Sequence, residues 1–193
     1  MNMKKFIIIV LIIGVIAGGG YVLSNKKIGS SAPGTNAASV WEKGVEGSPV
    51  SAETLTAGNS KSFKDTARGF SFLYPKRLDA TTFPDGNSGD IVLVQSPEKG
   101  EGFQILITPY GEGGSNLTAE MIQAEIPDLK ISDAQELLLG ESGKGVAFIS
   151  DNDSFAGNSR EVWFVYGGNL YQISTYARLD PLLQSVLGTW KFE

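Results

Sequence analysis

A tight hairpin is the feature that most limits what this chain can fold into. Residues 161–176, EVWFVYGGNLYQISTY, hold two runs of β-branched and aromatic residues, and Gly167, Gly168 and Asn169 lie between them. Glycine and asparagine tolerate the positive φ angles that a tight hairpin loop requires. The segment therefore predicts two adjacent antiparallel strands and a sheet that contains them.

Three segments upstream of the hairpin have the composition of further strands. DIVLVQ (90–95) is apolar on both faces, as expected of a central strand that is covered on both sides. FQILITPY (103–110) alternates between apolar and polar residues, and GKGVAFIS (143–150) has the same β-branched and aromatic composition. Together with the hairpin, these segments predict an antiparallel sheet.

The stretch GFSFLYPKRL (69–78) predicts an aromatic core strand. Phe70, Phe72 and Tyr74 occupy alternate positions, so their rings lie on one face of the strand. Pro75 ends the hydrogen-bonding ladder because proline has no backbone N–H. A face with three rings needs another layer of the protein to pack against.

Two segments predict helices, and a strand follows the second. In NLTAEMIQAEIP (116–127), Thr118 is a suitable N-cap and Pro127 stops the helix. In DPLLQSVLG (180–188), aspartate is the predicted cap and glycine ends the helix. TWKF (189–192) then returns to strand. This order of elements predicts an α+β fold, with a central antiparallel sheet flanked by helices.

These motifs together resemble the PsbP-like family of small exported domains, over residues 63–193. The resemblance is carried by GFSFLYPKRL, LTAEMIQAEIPDLKIS, NLYQIST and the terminal helix with TWKF. It implies a PsbP-like α/β sandwich and a non-catalytic accessory or binding role. The motifs specify core positions and no reaction. Leu78 stands where the family often has tryptophan, and the lipid-attachment cysteine of many bacterial relatives is absent.

The N-terminal part of the chain predicts a membrane anchor. Residues 1–5 form a short basic tail, expected in the cytoplasm, and residues 6–23 are 18 residues without a charge. A helix of that length spans about 27 Å, close to the roughly 30 Å of a bilayer's hydrocarbon core. We predict a single-pass protein of the cell membrane with an extracytoplasmic C-terminal domain. The competing interpretation is a signal peptide cleaved near Ala17 and a secreted protein.

Three residues in the N-terminal part are candidate contacts. Gly14 and Gly18 have the spacing that lets two membrane helices approach closely, although glycine is frequent in membrane helices in any case. Residues 24–62 are rich in Ser, Gly, Ala and Asn and predict a flexible linker. Trp41, within this linker, either contacts a partner or the membrane interface or folds back on the domain.

Composition excludes several kinds of chemistry. The chain has no histidine and no cysteine, so Ser-His-Asp and Cys-His catalysis and the common zinc sites are impossible. GESGK (140–144) resembles a phosphate-binding loop but lacks its first glycine and its Ser or Thr. The acidic loop at 150–161 does not fit a calcium-binding register. We predict no catalytic residue, no metal and no cofactor, and therefore no enzyme.

The charge balance excludes nucleic acid as a partner. From residue 63 to residue 193 the chain has 18 acidic and 10 basic side chains, a net charge of −8. Binding to nucleic acid depends on clustered Lys and Arg that neutralise phosphates. An anionic membrane surface would be an equally poor partner.

Three functions are compatible with the sequence. The leading hypothesis is a membrane-anchored extracytoplasmic protein that binds another protein of the cell envelope without catalysis. The second is a small-molecule-binding module, with a pocket between the sheet and a helix lined by residues such as Tyr74, Trp163 or Tyr171, although aromatic residues in strands usually belong to the core. The third is a carboxylate-dependent hydrolase, which would need two facing acidic side chains.

Overall fold

The computed structural model describes residues 52–193, apart from 97, 99, 112–116, 141–142, 153–154 and 156–157. The predicted tail, the apolar segment and most of the predicted linker lie outside the described residues, and so do Gly14, Gly18 and Trp41. In the part of the chain that is described, no helix combines the length and the apolarity needed to cross a membrane.

The described residues form two antiparallel sheets. The smaller sheet has the order β1-β2-β10 and consists of β1 (Ser60–Asp65), β2 (Phe70–Pro75) and β10 (Lys191–Phe192). The larger sheet has the order β3-β4-β5-β9-β8-β7-β6. Its strands are β3 (Asp79–Pro84), β4 (Asp90–Ser96), β5 (Glu101–Pro109), β6 (Ile131–Leu139), β7 (Gly143–Ser150), β8 (Ser159–Tyr166) and β9 (Asn169–Tyr176). The predicted antiparallel architecture is confirmed, with two sheets in place of one.

Two α-helices accompany the sheets: α1 (Ala119–Glu125) and α2 (Asp180–Leu187). Thr118 caps α1 as predicted, because its hydroxyl accepts a hydrogen bond from the backbone N–H of Met121. The predicted cap of α2 is wrong. Asp180 is the first residue of that helix, since a 3-10 turn at Ala177–Leu179 runs directly into it.

The main core lies between the two sheets. Phe70, Phe72 and Tyr74 of β2 are buried there, as the aromatic strand predicts. Trp190 stacks on two of these rings, with centroid distances of 5.0 Å to Phe70 and 5.1 Å to Phe72. The same core contains the apolar side of α2. The aromatic strand therefore packs its rings against the larger sheet from a separate layer.

The second face of the larger sheet is covered in part by α1. Ile122 of α1 forms a small apolar cluster with Val146 and Phe148 of β7 and with Trp163 of β8. Val146 and Phe148 alternate with Ala147, which faces the main core. We call this second surface the helix face of the sheet. It carries the candidate site described below.

The hairpin has the predicted loop. Gly167 and Gly168 have φ angles of 56° and 74°, and Tyr166 pairs with Asn169 across the turn. Of its two strands, β9 is the central strand of the larger sheet and β8 is its neighbour. Residues 90–95 lie in β4, an interior strand that pairs with β3 on one side and β5 on the other.

The folded domain starts before the predicted boundary at residue 63. β1 begins at Ser60, and Leu55 is buried in the main core. Glu53 also holds Arg77 through a salt bridge of 2.8 Å. Residues 52–62 therefore belong to the domain, although their polar composition placed them in the linker.

The cap of α1 gives a prediction for Thr118. Replacing Thr118 with alanine is expected to lower the free energy of unfolding by about 1 kcal/mol, because the N–H of Met121 loses its partner. Thr118→Ser keeps the hydroxyl and serves as the control. Urea unfolding followed by circular dichroism measures both variants, and equal losses in the two would contradict the capping role.

Candidate functional site

Among the described residues, Glu161 has an unusual position, because its carboxyl group is buried. It lies on the helix face of the larger sheet. This residue is part of β8, the strand next to the central strand β9, and is only 2% exposed. Alternation along the strand places Ser159 and Trp163 on the same face. Pairing with β7 and β9 brings Phe148 and Ser174 directly beside Glu161. The larger sheet therefore holds a carboxyl group in its interior.

Hydrogen-bond donors surround the Glu161 carboxyl. Oε1 accepts from the hydroxyl of Ser159 at 2.7 Å, and Oε2 accepts from the hydroxyl of Ser174 at 2.5 Å. Longer contacts come from Ser150 Oγ at 3.4 Å, Asn152 Nδ2 at 3.4 Å and Trp163 Nε1 at 3.3 Å. All five donors are neutral, and none of the salt bridges among the described residues involves Glu161.

Burial has the largest effect on the pKa of the Glu161 carboxyl. Removal from water raises the pKa of the Glu161 carboxyl, and the hydrogen bonds from the serines, Trp163 and Asn152 oppose that shift only in part. The buried group therefore holds its proton at a higher pH than an exposed glutamate would. The serines that donate to the Glu161 carboxyl lie on β7, β8 and β9. The carboxyl is therefore suited to holding these three strands together.

Two pairs of carboxylates meet elsewhere, but an arginine bridges each pair. Arg77 binds Glu101 at 2.7 Å and Glu53 at 2.8 Å. Arg68 binds Asp65 at 2.8 Å and also contacts Asp90.

These bridges join distant parts of the fold. The contacts of Arg68 link β1 of the smaller sheet to β4 of the larger one. Since a guanidinium occupies each pair, neither of these two pairs is free for the carboxylate chemistry that glycoside hydrolysis uses. No group of three or more acidic residues among the described residues could hold a metal ion.

The three aromatic residues predicted to line a pocket do not meet in one place. Tyr74 and Tyr171 are buried in the main core, whereas Trp163 lies on the helix face with Phe148. Each is less than a tenth exposed. Each of the three is packed as a core residue is.

Tyr171 provides a direct check on this assignment. Its hydroxyl is buried without a hydrogen-bond partner among the described residues, and burial raises its pKa to about 12. Replacing Tyr171 with phenylalanine is therefore expected to leave the free energy of unfolding unchanged, or to raise it by up to ~2 kcal/mol.

Thermal and urea unfolding of the full chain measure this effect, with Tyr166→Phe as the control for loss of a less buried hydroxyl. A loss of more than about 1 kcal/mol in Tyr171→Phe would show that the hydroxyl binds a group in the core.

Exposed apolar side chains mark a different part of the surface. Leu138 on β6 is 77% exposed, and Met121 on α1 is 44% exposed. Neither exposed side chain was predicted from the sequence. Leu138 was missed because LLL (137–139) has the composition of a core strand. The signal that could have found Leu138 is alternation: Leu137 and Leu139 face the core, so the residue between them points the other way.

Comparison with solved structures shows a similarity of fold to a known protein. No protein-family model matches this chain. No curated protein matches it either. The fold is similar to the solution structure of cyanobacterial PsbP (CyanoP) from Synechocystis sp. PCC 6803, with 14% sequence identity and a TM-score of 0.49. The match covers 75% of this chain and 98% of that chain. That protein is of the family that the sequence motifs resemble, and a similarity of this degree transfers no activity, partner or site residue to this chain.

Proposed function

We propose that this protein is anchored in the cell membrane by its N-terminal segment and presents a non-catalytic, extracytoplasmic domain that binds another protein of the cell envelope. The observation that carries the proposal is the 77% exposure of Leu138 on an edge strand of the larger sheet. Exposed apolar side chains beside a free strand edge favour contact with another protein.

The polar groups of the domain support a binding role over a catalytic one. The buried carboxyl of Glu161 is enclosed by its own hydrogen-bond donors. Arg68, Arg77 and Arg160 are each held by carboxylates of the same domain. These groups are engaged in the fold, so they are not available to a substrate.

The anchor is proposed from the sequence. Residues 6–23 have the length and apolarity of a membrane helix, and the residues that follow supply a tether. Such an arrangement keeps the domain near the membrane and raises its effective concentration for a partner in the same membrane. Cleavage near Ala17 would instead release a secreted binding protein.

Purification of the full-length chain from its native membrane, after chemical crosslinking in intact cells, tests this function. We expect at least one envelope protein in the crosslinked product, and an N-terminal mass that includes residues 6–23. The matched control is Trp190→Ala, which disrupts the core, so partners of the folded domain are lost and partners of the anchor remain. Recovery of the protein without a reproducible partner would contradict the binding role.

A further inference from the structure

β6 has a free edge in the described structure. It is the last strand of the larger sheet, and β7 is its only strand neighbour among the described residues. An edge strand presents a row of unpaired backbone N–H and C=O groups to its surroundings. With nine residues, β6 offers a longer edge than β3, the six-residue strand at the opposite end of the sheet.

Only the second half of β6 has a regular edge with which another strand could pair. A bulge interrupts the register between Ser132 and Gln135, and Asp133 has a φ angle of 50°. From Gln135 to Leu139 the pairing with β7 is continuous. Bulges twist a strand edge away from further pairing. The bulge therefore protects the first half of the edge and leaves the second half open.

The open half carries one acidic and one apolar side chain on the helix face. Glu136 pairs with Val146 and Leu138 pairs with Lys144, so both point to the side of the sheet that α1 covers. Both are exposed. A strand added beside β6 would place its own alternate side chains next to these two.

The charge around this edge is mostly acidic, and one exposed lysine, Lys144, lies on β7 opposite Leu138. Two carboxylates lie on β6, two on α1 and one in the segment between them: Asp133, Glu136, Glu120, Glu125 and Asp128. None of the salt bridges among the described residues includes any of these five. Nearby Lys130 is already bound to Asp151. A partner with basic side chains would be attracted to this edge.

We propose that the Gln135–Leu139 half of β6 binds an extended, basic segment of a partner protein as an added strand. Backbone hydrogen bonds supply the pairing, a Lys or Arg of the segment lies beside Glu136, and an apolar residue covers Leu138. This proposal rests on the protein-binding function above and names the surface and the chemistry of the partner.

Two other occupants fit the edge less well. A second copy of the chain would bring the acidic β6 against itself, and like charges on neighbouring strands are destabilising. The chain's own segment 24–51 has three lysines and two glutamates. Its net charge of +1 gives it little preference for an acidic edge.

The test uses the full chain in zwitterionic nanodiscs and a fluorescent nine-residue valine–lysine peptide, Thr-Lys-Thr-Val-Thr-Lys-Thr-Val-Thr, in which lysine and valine alternate along one face of the strand. We expect saturable binding in a fluorescence anisotropy titration at about 0.15 M salt, where long-range attraction is screened. Glu136→Lys and Leu138→Asp are each expected to weaken binding by about tenfold or more. Glu98→Lys makes the same charge change at an exposed loop position and should leave binding within about twofold.

Peptide controls separate strand pairing from charge alone. A valine–glutamate peptide and a valine–lysine peptide with a central proline are both expected to bind at least about tenfold more weakly, since one loses the charge and the other loses backbone pairing. Equal binding of the proline peptide would overturn the added strand. So would a failure of the valine–lysine peptide to bind, or equal losses in Glu98→Lys and Glu136→Lys.

One further variant addresses the chain's own N-terminal segment. If the peptide binds only after Lys26 and Lys27 are both replaced with glutamate, that segment occupies the edge, and the proposal of a separate partner is wrong. A partner that co-purifies with the full chain while the peptide fails to bind would leave the proposed function standing and remove β6 as its site.

Discussion

Replacing Trp190 with alanine is expected to lower the free energy of unfolding by about 3–5 kcal/mol. The indole is buried between the two sheets, where it stacks on Phe70 and Phe72 and meets the edge of Phe164 at 5.5 Å. Alanine removes these contacts and leaves a cavity that the surrounding rings cannot fill. Because domains of this size are stable by about 5–15 kcal/mol, such a loss removes a large share of the stability of the domain.

The matched control for this change is Trp190→Phe. The indole N–H has no hydrogen-bond partner among the described residues, so phenylalanine gives up no hydrogen bond and keeps much of the ring packing. We expect a clearly smaller loss than in Trp190→Ala. Urea unfolding monitored by far-ultraviolet circular dichroism measures both. A loss below about 1 kcal/mol in Trp190→Ala would contradict the role of the C-terminal residues in closing the core.

Glu161 is expected to make the stability of the protein depend on pH, and Glu161→Gln to remove that dependence. Burial raises the pKa of this carboxyl in the folded state above its value in the unfolded chain. Between the two pKa values the folded state binds more protons than the unfolded state, so the free energy of unfolding decreases as the pH rises. Each unit that separates the two pKa values contributes about 1.4 kcal/mol.

The comparison with Glu161→Gln isolates this effect from other titrating groups. Below about pH 4 the wild-type group is mostly protonated in both states, and glutamine is a close neutral substitute. As the pH rises above the pKa of an ordinary glutamate, about 4.3, the wild type is expected to lose stability relative to the variant. The loss is complete once the pH exceeds the folded-state pKa.

Glu98→Gln is the control, since Glu98 is exposed. The free energy of unfolding of the Glu98→Gln variant should follow that of the wild type at every pH. Chemical unfolding at several pH values between about 4 and 9 measures all three proteins. A wild type that gains stability relative to Glu161→Gln as the pH rises would contradict the inferred direction of the pKa shift.

Local patterns in the sequence predicted the elements that bury apolar side chains. The hairpin, the aromatic strand β2 and the helix capped by Thr118 each have a signal within a few consecutive residues. The edge strands β1 and β3 were not predicted, because much of each strand faces solvent and its sequence does not alternate. Division into two sheets depends on pairing between distant residues, such as Phe192 with Phe70, which no local pattern reports.

The candidate sites were harder to predict than the fold for the same reason. Glu161 is buried because β7 and β9 bring Ser150 and Ser174 to it, and the sequence does not say which strands are neighbours. Leu138 lies in an apolar run that is typical of a core, and its exposure follows only from the position of β6 at the sheet edge. Tyr74, Trp163 and Tyr171 were singled out by residue type, and packing accounts for all three.

Site-specific photo-crosslinking in intact cells tests the central claim, that this domain binds a protein through the open half of β6. A photoreactive amino acid is placed at position 138 of the full-length chain or, as the control, at exposed position 82 on the opposite edge strand β3. We expect a discrete adduct with one envelope protein from position 138 and none from position 82. The absence of an adduct at position 138, or the same adducts from both positions, would contradict the claim.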